Sequence, residues 1–475
     1  MKKLPKWLPF LLVFSLLLSS CGIITPGNRN AESEEEETSA ESGKAGEESR
    51  IYVSEYPGKA KEFVDALPNV DFEGIAVLIA TTVSPSLFVP EEEESDLLSE
   101  VIAERNQTVA DKLNTIVLVK GTETASLLEE VRAASLSGTY YADLLAVPSS
   151  LIGTLKKENL LVGLGTLPYV DLSSPYFNQS SRAQFTRNGV TYAIAGSAVD
   201  FPENDACIFV NNALASSLGI DSPASKMQRG EWTLDAFFDA VSRSTGIFGV
   251  YGFGYDLPEE EIASFFYNGS GLPLLDPSLK SFLPPQNAFA DKVAEALSPL
   301  TDPSYRYNKN DGNAYLEFYN GKMLFYVDRL GEIPWIFDMN DDWSVLPIPK
   351  VGNDRGYVCT ALPSAPVIAL PACNTDAMRA GILLQTLFAA SYGIVREGYT
   401  DLVIEKYARN NDTLNAVDLI GQTGFYSFEN AFGGEYPVFF SASRDALMDA
   451  ITGKSSLKEA QEKVLTGLER AGKEF

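Results

Sequence analysis

The sequence predicts an α/β fold built around a parallel sheet. Between residues 74 and 148, short and almost wholly apolar runs alternate with longer segments whose apolar residues recur every three or four positions. The short runs read as buried strands and the longer ones as helices covering a sheet. Strict strand–helix alternation with short connections returns each strand parallel to the last. A second region, richer in Tyr, Phe, Pro and Gly, carries its own strands and helices, and the length suits two or three compact units.

Residues 74–80 are expected as the first strand. Ser95 then caps a helix presenting Leu97, Leu98, Val101, Ile102, Val109 and Leu113 on one face, because a hydroxyl there accepts from a free N–H of the first turn. Residues 116–119 form the second strand, 123–135 the second helix and 142–147 the third strand, ended by Pro148. In the second region 192–195 and 207–210 read as strands. Thr233 caps the helix opening Leu234-Asp235-Ala236-Phe237-Phe238, with Asp235 favourable near its positive end. A helix over 314–320 precedes a strand over 323–327. A helix over 376–390 takes Asn374 or Thr375 as its cap, and 457–468 is a closing amphipathic helix. Trp232 and Trp343 read as core anchors.

The N-terminus has a separate logic. Lys2, Lys3 and Lys6 precede an apolar run over 8–18, broken only by Pro9 and Ser15 and too short to cross a membrane. Leu18-Ser19-Ser20-Cys21-Gly22 resembles the bacterial lipobox. That resemblance implies cleavage before Cys21 and a diacylglycerol on its sulfur. Residues 1–20 are thus expected as a lipoprotein signal peptide, and the protein as extracytoplasmic and lipid-anchored to the cell membrane. Residues 21–50 are rich in Ser, Gly, Ala and Glu, with few apolar groups to offset the entropy of ordering, which predicts a disordered acidic tether.

Composition excludes several chemistries. A formal net charge of −27 repels nucleic acid and anionic surfaces. Histidine is absent, which removes Ser-His-Asp and Cys-His catalysis and His-ligated zinc. Cys207, Cys359 and Cys373 form no CxxC and read as small buried hydrophobes, with a Cys359–Cys373 bridge as the alternative. Thr452-Gly453-Lys454-Ser455 lacks the first P-loop glycine, since Met448 stands there. The acidic run 91–94 lacks the alternating ligands of an EF-hand loop.

Several segments, in order, resemble the extracellular solute-binding proteins of ABC importers, family 1, most closely a clostridial-type lipoprotein branch. They include Glu104-Arg105-Asn106, Tyr141-Ala142-Asp143-Leu144, Leu167-Pro168-Tyr169-Val170-Asp171-Leu172-Ser173 and Arg229-Gly230-Glu231-Trp232-Thr233. Phe318-Tyr319-Asn320-Gly321-Lys322-Met323, Asp342-Trp343-Ser344-Val345-Leu346-Pro347 and Lys406-Tyr407-Ala408-Arg409-Asn410-Asn411 complete the series. The chain departs from the branch at Asn212, where lysine is usual, and at Tyr176 and Phe177, which replace tryptophans. The resemblance implies a two-lobed periplasmic-binding-protein-like fold with an inter-lobe hinge and a ligand cleft. Lobe 1 would be 51–197 plus 361–412, and lobe 2 would be 198–360 plus 413–475. It further implies a solute-capturing receptor, not an enzyme, that delivers a carbohydrate to ABC permease subunits. Membrane attachment would be through the Cys21 lipid, with no cofactor, no metal, no nucleic acid and a monomeric state. An extracellular carbohydrate-active enzyme using two carboxylates, or a ligand sensor that no longer transports, are the alternatives.

Sugar sites need flat aromatic faces and planar polar groups. Trp335 is the candidate stacking aromatic, and Asp328 and Arg329, placed just after the strand over 323–327, are candidate hydroxyl partners. Asp200 and Phe201 lie beside the first expected crossing between lobes. Tyr255 follows the Gly-rich Tyr251-Gly252-Phe253-Gly254. Thr82 and Ser84 follow the first parallel strand, where α/β crevices bind ligands.

Overall fold

The computed structural model describes residues 56–90, 97–199, 201–272, 288–307, 312–396, 398 and 407–470. The signal peptide, Cys21, the tether, the acidic run 91–94, Ser95 and Asp200 lie outside the described residues. The strands, in chain order, are β1 (Val77–Thr81), β2 (Val117–Gly121), β3 (Leu144–Pro148), β4 (Leu161–Val162), β5 (Thr186–Arg187), β6 (Val190–Thr191) and β7 (Ala193–Ile194). There follow β8 (Ala206–Asn211), β9 (Tyr251–Gly254), β10 (Met323–Arg329), β11 (Trp343–Leu346), β12 (Cys359–Thr360), β13 (Pro366–Pro371) and β14 (Gly424–Phe425).

The expected parallel unit is present. β1 runs parallel to β2 and β3, with Ile79 beside both Val119 and Leu144. Val77, Ile79 and Ala80 are fully buried under the helices that return the chain. The sheet is mixed rather than wholly parallel, because β13 enters antiparallel beside β3, pairing Val367 with Val147. β4 and β7 flank β13 on its other side, giving the order β2-β1-β3-β13-β4 with β7 also on β13. Every residue of β13 is buried, so it completes the core of a sheet begun about 290 residues earlier at Val77. The helix Ala377–Ser391 packs against Leu97–Leu113 and Tyr56–Ala66. Its cap is Asp376, which accepts from the Arg379 N–H at 2.9 Å, rather than Asn374 or Thr375. Asn374 instead accepts from the Asp376 N–H at 2.8 Å and so shapes the turn leading in.

The second sheet has the order β11-β8-β10-β9, with β8 antiparallel to both neighbours and β9 parallel to β10. Thr233 caps the helix Leu234–Ser244 as expected, accepting from the Ala236 N–H. Phe237 on that helix sits 5.0–6.0 Å from the rings of Trp232, Phe253, Phe266 and Phe325. Trp232 is fully buried and donates Nε1–H to the Pro347 carbonyl at 2.9 Å. Gly252 and Gly254 are packing glycines: a Cβ would meet the Tyr305 carbonyl at 2.7 Å in one case and the Met323 side chain at 2.5 Å in the other.

Among the described residues, the segments around Asp205, Ala361 and Phe425 meet between the sheets. The Leu362 N–H donates to Asn204 O at 2.8 Å, Asp205 bridges Ala361, and the Ala361 N–H donates to Phe425 O at 2.9 Å. β12 and β14 run parallel within this hinge. The short helix Phe428–Phe432 then packs on the turn Ser149–Leu151 and the helix Ile152–Lys157. Cys207, Cys359 and Cys373 are all buried free thiols, so no Cys359–Cys373 bridge forms. Residues 54–475 constitute one compact unit. No helix among the described residues is long and apolar enough to cross a membrane.

Candidate ligand cleft

Strand direction brings the cleft together. β9 and β10 are parallel and end at one edge of their sheet, and their register, Tyr326 beside Gly254, carries forward to set Asp256 next to Asp328. In the other sheet β1 and β3 also end together. Ser149, directly after β3, donates its N–H to Ala365 O at 2.8 Å and its hydroxyl to Pro363 O at 3.1 Å. The carboxyl ends of both sets of parallel strands thus converge on residues 362–364, the crevice position of α/β sheets.

A cavity of about 410 Å³ lies there, lined on one side by Asp256, Leu257, Glu261, Asp328, Arg329 and Glu332 and on the other by Leu362, Pro363 and Ser364. A larger hollow of about 600 Å³ is lined only by residues 291–302 and 450–457, on helices that pack on one another. A solute held there touches one side of the hinge only and so has no hold on closure.

Asp328 is 6% exposed. Its Oδ2 accepts from the Tyr326 hydroxyl at 2.6 Å and its Oδ1 from the Arg329 N–H at 2.9 Å. Burial pushes its carboxyl up to about 6; the Tyr326 hydrogen bond opposes this and nearby Glu332 adds to it. Asp256 accepts from the N–H groups of Ala314 and Tyr315 at 2.9 and 3.0 Å, at the start of the helix Ala314–Tyr319. Arg329 Nε pairs with Glu332 at 3.2 Å. Burial raises the Glu261 carboxyl, against the pull of Arg444 at 4.0 Å. Ser364 offers a hydroxyl that donates to Asn204 Oδ1 at 3.3 Å. Such a lining can accept hydrogen bonds from hydroxyl or ammonium groups and donate a few in return. Among the described residues no cluster of three or more acidic or thiol groups could hold a metal ion.

Of the sequence-predicted residues, Asp328 and Arg329 line the cavity, though inside β10 rather than after it, because the strand runs two residues further than its apolar pattern. Thr82 lies at the same sheet edge, donating its N–H to Ala146 O, and its hydroxyl oxygen is buried without a hydrogen-bond partner. Ser84 is exposed, its hydroxyl 2.7 Å from that of Ser86. Phe201 is buried at the entrance to the hinge. Tyr255 is buried, its hydroxyl accepting from Arg306, which also pairs with Glu259 at 3.0 Å. Trp335 is 66% exposed, outside the lining set, on the short helix Ile333–Ile336. Sequence reading missed Asp256, Leu257, Glu261, Glu332 and residues 362–364. Asp256 alone had a signal, as the acid next to the candidate Tyr255; the others are ordinary in local sequence.

No family model and no curated protein matches the chain. Solved structures do match in fold. The cyclic α-maltosyl-1,6-maltose binding protein from Arthrobacter globiformis aligns with a TM-score of 0.59 at 12% identity, covering 84% of this chain and 99% of its own. An ABC substrate-binding protein from Listeria monocytogenes, in complex with cycloalternan, aligns at 0.54 and 13%, with coverages of 84% and 99%. A family 1 extracellular solute-binding protein from Bifidobacterium longum subsp. infantis aligns at 0.54 and 14%, with coverages of 82% and 98%. The fold is therefore the two-lobed periplasmic-binding-protein-like one, with its hinge and cleft.

Proposed function

We propose that the chain is the extracytoplasmic solute-capturing subunit of an ABC importer, of the clostridial-type lipoprotein branch of family 1, and that it takes a carbohydrate. The observation that carries this reading is the cleft itself. Its charged wall lies on the four-stranded sheet and its neutral wall on the connection leading into the six-stranded sheet, and among the described residues the two sides meet at Asp205, Ala361 and Phe425 and where the helix Phe428–Phe432 packs on residues 149–157. A solute touching both walls favours the closed state over the open one, and closure is what a permease can sense. The oligosaccharides named for the Arthrobacter and Listeria neighbours support a carbohydrate here. We assign the lobes as 51–197 plus 361–412 and 198–360 plus 413–475, with Cys21 carrying the lipid that tethers the receptor to the membrane. The protein works as a monomer without cofactor and without turnover.

A thermal-shift screen of residues 54–475 against soluble mono- and oligosaccharides tests the reading. A ligand bound only by the folded state stabilises it by about 2.7 kcal/mol at a hundredfold excess over Kd. No shift with any sugar would remove carbohydrate as the solute. Incorporation of labelled fatty acid into the full chain, lost in Cys21→Ser, tests the anchor. A raised carboxyl beside a second one, Asp328 with Asp256, is the one feature a glycosidase would share. Sustained release of reducing ends from a glycan panel would favour the enzyme over the receptor.

A further inference from the structure

Resting on the solute-capture reading above, we propose that the captured solute is a cation, specifically an amino sugar or its oligomer, held through Asp328. Four carboxylates and one guanidinium line the cavity. Arg329 is already paired with Glu332, and Glu261 faces Arg444. Asp256 and Asp328 have no Lys or Arg nitrogen within 4.0 Å among the described residues. The two acids face one phenol: the Tyr326 hydroxyl is 2.6 Å from Asp328 Oδ2 and 3.3 Å from Asp256 Oδ2, and it has a single proton to donate. Asp256 also accepts from two backbone N–H groups, whereas Asp328 has one backbone N–H and the phenol, with the neighbouring Arg329 guanidinium engaged by Glu332.

Asp328 is more than nine-tenths buried and still belongs to the cavity lining, so its charge is poorly hydrated yet within reach of a solute. A buried carboxylate without a counter-charge is costly. The hydroxyls of a neutral sugar ease this through hydrogen bonds alone, whereas an ammonium group also cancels the charge. A bare metal ion does not fit, because its donors must converge, and the described residues hold no such cluster. A large organic cation suits carboxylates spread around about 410 Å³, with its hydroxyls served by Ser364 and Arg329. The chain's net charge of −27 draws cations toward it from solution.

The test is calorimetric titration of residues 54–475 with glucosamine trimer, its N-acetylated counterpart and maltotriose, at low and moderate salt. The expected result is binding of the amine at least about tenfold tighter than of its acetylated twin, weakened by salt. That preference should vanish in Asp328→Asn while cooperative melting is retained, and Glu332→Gln should lower it less. Equal or tighter binding of a neutral sugar, unchanged by salt, would overturn the cation and leave carbohydrate capture standing. Binding of none of the three would overturn both.

Discussion

The two walls of the cleft are made of opposite materials. The wall on the four-stranded sheet carries Asp256, Glu261, Asp328, Arg329 and Glu332. The facing wall offers Leu362, Pro363 and Ser364, with Ser149 and Thr82 behind them at the edge of the six-stranded sheet. One wall holds all the charge, and the other holds hydroxyls, main chain and apolar surface. On the proposed reading, such a division leaves the charged wall to choose the solute and the neutral wall to close over it and exclude water, which strengthens each electrostatic contact inside.

The largest expected effect is on stability. The Asp328 carboxyl is raised from 3.8 to about 6 on folding. Between those values the folded state holds a proton that the unfolded chain has released, so stability falls as pH rises through that window. About two units correspond to roughly 3 kcal/mol. Asp328→Asn should therefore make the ligand-free protein more stable at pH 7 by up to about 3 kcal/mol, and flatten its stability between pH 4 and 6. Urea titrations at pH 4 and 7 check this; an unstable Asn variant would mean that the charge on Asp328 is already compensated. Next comes Tyr326→Phe, which leaves Asp328 and Asp256 without the phenolic donor and should cost about 1–3 kcal/mol at neutral pH, read from the same titrations.

On the neutral wall Ser364→Ala should weaken solute binding by only about 0.5–1.5 kcal/mol, seen as a roughly twofold to thirteenfold rise in Kd. A larger loss would mean that specificity is shared between the walls. The smallest stability effect belongs to Trp335→Ala, within about 0.5 kcal/mol, since the indole is mostly exposed. Its effect on Kd decides whether the exposed ring extends the charged wall as a stacking surface.

The elements legible in the sequence are those whose partners are near in the chain. β1, β2 and β3 and the helices between them follow from periodicity, and the Thr233 cap follows from one hydroxyl at a helix start. Asp328 and Arg329 were legible because polar residues ending an apolar run at a strand's carboxyl end are exceptional. Asp256 was legible only as the neighbour of Tyr255, because it is the parallel pairing of β9 with β10 that brings it beside Asp328. Residues 362–364 are a plain Leu-Pro-Ser connection until the hinge carries them across the cavity. Trp335 stood out by residue type and by its place after the strand, where relatives that bind sugars carry a stacking aromatic, and the fold leaves its ring mostly exposed.

By itself the sequence determined the alternation that makes an α/β unit, the identity of the core anchors, the acidic balance and the absence of histidine chemistry. These depend on residue type and on spacings of a few positions. Only the tertiary structure decided that β13 enters the first sheet antiparallel, and that two strand ends more than 70 residues apart set two carboxylates on one phenol. Pairing between distant strands depends on which buried surfaces fit together, and no local periodicity encodes that match.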